Sequence, residues 1–109
     1  MEKMYSIAVF QQLSAGTFKP AEPLTAEQNS ILDYTLGLPG EVGEVCEIVK
    51  HHIFHKQPMT DDLKMKLAKE LGDIEWYTAA VATMFDIPME AVLALNYAKL
   101  KHRHGEKFS

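Results

Sequence analysis

The sequence predicts an all-α protein with a four-helix-bundle-like core completed by homo-oligomerisation. Apolar residues recur at helical spacing, helix caps and stop residues punctuate the chain, and no segment alternates as a strand does. Bundles of short helices commonly complete their cores by pairing with further copies, here to a homodimer or homotetramer.

The first helix is expected over Met4–Ser14, with Tyr5, Phe10 and Leu13 as its apolar residues. Lys19-Pro-Ala-Glu-Pro23 reads as a connector, because prolines break helices and suit turns. Thr25-Ala-Glu-Gln28 matches a capping box and starts a helix through Ile31, Leu32 and Leu36. Gly37-Leu-Pro-Gly40 is expected to kink or interrupt it. A further helical stretch runs from about Glu41 to His55, stopping before Gln57-Pro58. Thr60 is the expected N-cap of the next, with Asp61 and Asp62 in its dipole-favoured first turn, and that helix continues to about Phe85. Pro88 suits the first position of the last helix, and Gly105 its stop.

At 109 residues the chain is read as a single domain, residues 1–109, with one core. Eleven basic against 15 acidic side chains leave a net charge of −4 and no basic face, which argues against a nucleic-acid binder. A polyanionic substrate would then need cations supplied to it. The single cysteine, Cys46, permits no internal disulfide and suits a reducing cytoplasm. No apolar run approaches the roughly 18 residues that span a bilayer, so no membrane partner is expected. The N-terminus lacks the apolar stretch of a signal peptide. A cytoplasmic or phage-encoded intracellular protein is the resulting expectation.

Two acidic pairs carry the chemistry, Glu41-Val-Gly-Glu44 and Glu70-Leu-Gly-Asp73. A spacing of three puts both carboxylates of a pair on one helix face. At about 100° per residue, Glu41 falls inside the stripe of Val42, Val45, Ile48, Val49 and Ile53, with Glu44 at its margin. Glu70 likewise falls inside the stripe of Leu63, Leu67, Leu71, Ile74, Tyr77 and Val81, with Asp73 at the margin. Carboxylates aimed at a core need a partner. Four of them from two helices form the oxygen-rich layout of a Mg²⁺ site, and Mg²⁺ generally serves phosphates; a buried salt bridge to lysine or arginine is the competing account. Gly43 and Gly72, each costing about 1 kcal/mol inside a helix, call for close helix approach or room for a ligand.

On the last helix Asn96, Lys99 and Arg103 share a face beside Met89, Leu93, Tyr97 and Leu100. Lys99 and Arg103 could grip phosphate oxygens and Asn96 a sugar, base or phosphate, against the simpler reading of a wet helix face. Lys50 has similar standing. Trp76, beside Asp73 in helical space, could line a base pocket, although a core position is the plainer reading. His51 and His55 have zinc-pair spacing but no third ligand of zinc type nearby. Cys46 has no activating base, and the methionines read as core filler.

Gly37-Leu-Pro-Gly-Glu-Val-Gly-Glu44, Lys69-Glu-Leu-Gly-Asp-Ile-Glu-Trp-Tyr77 and Asn96-Tyr-Ala-Lys-Leu-Lys-His-Arg103, in that order, resemble the MazG-like nucleotide pyrophosphohydrolases of the all-α NTP pyrophosphatase superfamily. The resemblance covers about residues 36–108. It implies a four-helix core in a homodimer or homotetramer, and Mg²⁺-dependent cleavage of a nucleoside triphosphate to the monophosphate and pyrophosphate, with Mn²⁺ as a substitute ion. It implies Glu41, Glu44, Glu70 and Asp73 as metal ligands, Glu47 joining at a second ion, and Lys50, Asn96, Lys99 and Arg103 as substrate contacts. Either Glu41 or Glu44 could take the proton of the attacking water. Pro39 stands where many relatives carry a helix former, and the first 35 residues match only loosely. Two other functions fit the same acidic site: a non-catalytic nucleotide-binding or assembly module, and a hydrolase of another pyrophosphate-linked metabolite.

Overall fold

A computed structural model describes residues 6–108 and is all-α, with no strand among them. Helix α1 spans Ile7–Ala15, α2 Ala26–Phe54, α3 Asp61–Met84 and α4 Met89–His104, followed by a 3₁₀ turn over Gly105–Phe108. Met4 and Tyr5 lie outside the described residues; α1 starts at the Ser6 cap, whose hydroxyl accepts the Val9 N–H at 3.2 Å.

The capping box forms as expected: Thr25 Oγ1 accepts the Gln28 N–H and Gln28 Oε1 the Thr25 N–H, both at 3.0 Å. Helix α2 then runs unbroken for 29 residues, Pro39 included. The expected interruption at residues 37–40 is therefore overturned. Proline removes one backbone donor, the N–H that would bond the Thr35 carbonyl, but packing on both sides of this point outweighs that loss. Tyr34 lies against Tyr77, ring centroids 5.4 Å apart, and the glycine at 37 lets the same ring seat closely: a Cβ there would sit 2.8 Å from Tyr77 Cε1.

Past the C-cap His55, Lys56 adopts φ 53° and His52 Nδ1 meets the Gln57 carbonyl oxygen at 2.7 Å, which turns the chain. Thr60 caps α3 as expected, accepting the Leu63 N–H at 3.2 Å. Phe85 ends α3, and Ile87 N–H bonds the Ala82 carbonyl at 2.8 Å. Pro88 is the extended N-cap of α4 rather than its first helical residue. Gly105, at φ 58° and ψ −117°, stops α4 in a region glycine favours. Tyr97 ties the 3₁₀ turn back, its hydroxyl donating to the Phe108 carbonyl at 3.2 Å.

Helices α2 and α3 form an antiparallel hairpin. Tyr34 meets Tyr77, Glu41 faces Glu70 and Asp73, and Ile48 shares a pocket with Leu63, so partner numbers fall as α2 advances. The chain turns by 106° between α3 and α4, which packs on α3 and the closing turn but not on α2. Among the described residues α1 packs on no other element. No single described helix is long and apolar enough to cross a membrane.

The apolar stripes lie mostly open. Ile48 and Ala82 are the buried apolar residues, while Val42, Val49, Ile53, Leu71, Leu93 and Tyr97 remain exposed. A Cα radius of gyration of 21.4 Å compares with about 13 Å for a compact domain of this length. The accessible surface is 9657 Å², roughly 3,500 Å² more than a compact monomer of 12.3 kDa presents.

Candidate active site

Midway along the hairpin, the antiparallel register sets the first turn after Gly40 against the middle of α3. One carboxylate oxygen each from Glu41, Glu70 and Asp73 lies within 4.8 Å of the others. Glu41 and Glu70 are half-buried and Asp73 is exposed. The angular positions of Glu41 and Glu70 inside their stripes account for this: each helix turns its leading carboxylate toward the other.

The cluster carries uncompensated like charge. Desolvation raises the Glu41 carboxyl above its ordinary 4.5, and the charges of Asp73 and Glu70, a hydrogen bond with Glu70 and the charge of Glu44 raise it further. No described lysine or arginine forms a salt bridge with these residues within 4.0 Å, so the salt-bridge alternative finds no support in this hairpin. The donor set is entirely oxygen and anionic, which fits a hard divalent cation and would offset the repulsion.

Glu44 stands apart from the trio. It is exposed and borders an adjoining pocket of about 380 Å³ with Glu47, Ile48, His51 and Lys66. Glu47 is engaged there with His51, its Oε2 lying 3.3 Å from His51 Nε2. Lys66 escaped the sequence reading; its position four residues before Glu70, on the same face of α3, was the available signal.

Trp76 is not a core residue in the protomer. It is 71% exposed and borders an apolar pocket of about 320 Å³ with Tyr34, Ala80 and Met84. Tyr34 was likewise unread, because its position opposite Trp76 depends on the hairpin register. Gly43 and Gly72 have no neighbour within 4 Å of a notional Cβ, so close approach of α2 and α3 is not their reason; open space is. Lys50 is exposed on α2. Asn96 and Lys99 border a separate groove with Ile87, Val92 and Leu95, and Arg103 is exposed near the end of α4. The groove that Asn96 and Lys99 border shares no residue with the carboxylate trio or with the pocket beside it, and α4 does not pack on α2, which carries Glu41.

The fold and site define a class: an all-α protein with a three-carboxylate cluster of divalent-cation type. Residues 29–108 match the model of the MazG nucleotide pyrophosphohydrolase domain, and the chain belongs to that family, one generally of nucleotide hydrolases. Among curated proteins it is similar to the gene 37 protein of Mycobacterium phage L5, 37% identical over 70 residues, which cover 63% of this chain. The match spans 61% of that relative's length, and the relative's name states no activity. No solved structure matches the chain.

Proposed function

We propose that this protein is a Mg²⁺-dependent nucleoside triphosphate pyrophosphohydrolase, converting a ribo- or deoxyribonucleoside triphosphate to the monophosphate and pyrophosphate. The observation that carries the reading is the convergence of Glu41, Glu70 and Asp73 in a chain of the MazG family. Those residues would hold Mg²⁺, or Mn²⁺ in its place, with Glu44 and Glu47 available to a second ion from the adjoining pocket. A divalent ion bound there supplies charge neutralisation for phosphate oxygens and a more acidic water.

The protein's own groups complete the assignment. Glu44 lies one turn beyond the trio and outside it, which leaves it the carboxylate best able to accept a proton from the attacking water. Trp76 and Tyr34 offer an aromatic wall one turn from Asp73, suited to stacking a base. Lys50, Lys99, Arg103 and Asn96 are assigned to phosphate and sugar, with α4 reaching the carboxylates in an assembly of two or four copies. The excess exposed surface supports such an assembly. A net charge of −4 and the single cysteine support an intracellular enzyme acting on free nucleotides rather than on nucleic acid.

The test is product analysis across a panel of ribo-, deoxyribo- and modified nucleoside triphosphates, with Mg²⁺ and with EDTA. Metal-dependent release of pyrophosphate and monophosphate is expected. Glu70→Gln should lower the rate about a hundredfold or more, as loss of several kcal/mol of charge stabilisation implies. Orthophosphate with a diphosphate would mean that another bond is cut. Silence across the panel in folded protein would favour a nucleotide-binding module.

A further inference from the structure

Helix α1 lies outside the residues that match the family domain, and nothing in the reading of the carboxylate site uses it. Its sequence, Ile-Ala-Val-Phe-Gln-Gln-Leu-Ser-Ala, contains no charged residue. Ile7, Phe10 and Leu13 are 83%, 69% and 55% exposed. Spaced three apart, they form one apolar face on which no other described element packs. A nine-residue helix in water is below the roughly 12–15 residues at which isolated helices become even marginally stable. It needs a surface to persist.

The matching surface lies at the end of the hairpin where α2 begins and α3 finishes. Leu24, Ile31 and Leu32 on one side and Val81 and Phe85 on the other border a groove of about 460 Å³. Its remaining lining residues, Gln28 and Thr35, are uncharged. An uncharged helix face and an uncharged apolar groove thus occur in the same chain, neither covered by another described element.

Within one protomer α1 packs on no other described element. After Gly16 and Thr17, residues 18–25 run without a turn. Pro20 and Pro23 hold their own φ near −65° and bias Lys19 and Glu22 toward extended backbone. A stiff, extended arm with a sticky end is suited to reciprocal exchange about a two-fold axis. The roughly 3,500 Å² of surplus surface per chain exceeds the roughly 1,000–2,500 Å² that each partner of an intimate dimer buries, so a second copy has ample surface to cover.

We propose that α1 is an exchanged arm: α1 of one copy docks, through Ile7, Phe10 and Leu13, into the Leu24/Ile31/Leu32/Val81/Phe85 groove of a second copy. This inference does not rest on the catalytic reading and survives or fails without it.

Directed disulfide trapping tests it, in chains carrying Cys46→Ser because the native thiol is exposed. Phe10→Cys in one chain and Leu32→Cys in another, of different tag length, are co-refolded and oxidised. A Glu90→Cys chain replaces Leu32→Cys as the control. The expected result is a mixed disulfide between the two tags, severalfold above the control. In a second format one chain carries both Phe10→Cys and Leu32→Cys; a disulfide formed within that chain, with none between the two tags, would show the arm folding onto its own groove and would overturn the proposal. No disulfide in either format would overturn it as well. Hydrogen exchange on unmodified protein gives an independent reading that does not depend on the variants folding. Amides of residues 10–15 should be protected in the assembly and lose that protection on dilution to monomer; equal protection in both states would sink the idea.

Discussion

Glu41 is the residue on which the site's electrostatics turn. Its carboxyl is held above the ordinary 4.5 by desolvation first and by the Asp73, Glu70 and Glu44 charges after it. Below the unfolded value it is protonated in both states and contributes nothing to the pH dependence. As pH rises toward the raised folded value, the unfolded chain ionises more readily, so the native state loses stability across that window and does not regain it above. Metal-free protein with Glu41→Gln should therefore melt higher than wild type at pH 7, with the gap closing as pH falls toward 4.5. Thermal melts in EDTA across that range check this; a constant gap would contradict it. Mg²⁺ at tenfold its dissociation constant should raise the wild-type Tm by about 5–10 °C, and Glu41→Gln or Glu70→Gln should largely abolish that response. Glu44→Gln separates the two roles assigned to the carboxylates. It should keep the Mg²⁺ response of the trio in the melt while losing turnover, whereas loss of both would make Glu44 a ligand of the ion that Glu41, Glu70 and Asp73 hold.

At the scale of the element, α2 crosses a proline and three glycines without breaking. The glycines are not equivalent. A Cβ at Gly37 would lie 2.8 Å from the Tyr77 ring, itself held against Tyr34, whereas a Cβ at Gly40 meets nothing within 4 Å. Gly37→Ala should consequently destabilise by about 1–3 kcal/mol through overpacking. Gly40→Ala should be neutral or stabilising by up to about 1 kcal/mol from helix propensity. Denaturant melts of the two variants decide it, and equal effects would show that Tyr77 yields easily. The same register places Trp76 beside Tyr34, so the closeness of α2 to α3 at Gly37 also shapes the proposed base pocket.

At the scale of the whole molecule, the two buried apolar residues among those described, Ile48 and Ala82, are too few to hold a compact fold by themselves. Burial at roughly 25 cal/mol per Å² must come from further surface, and the open stripes on α2, α3 and α4 would supply it in the proposed assembly. The protein is expected to sediment as a dimer or tetramer, with a Tm that rises with protein concentration. A concentration-independent melt at monomer mass would refute this and would also remove the route by which α4 reaches the carboxylates.

Much of this was legible in the residues alone. Thr25, Thr60 and Gly105 marked their boundaries because capping and positive φ are local chemistry, satisfied within a few residues. Helical spacing also placed Glu41 and Glu70 within apolar stripes, where both are half-buried. Pro39 misled because local propensity at residues 37–40 was outweighed by contact with Tyr77, more than thirty residues away. The meeting of Glu41 with Glu70 and Asp73, the placing of Tyr34 beside Trp76 and the entry of Lys66 into the adjoining pocket were set by hairpin register, which no single helix encodes. Local sequence determined where helices start, stop and turn their acidic residues. Which of those residues meet was decided by tertiary structure, since it depends on the packing of one whole helix face against another.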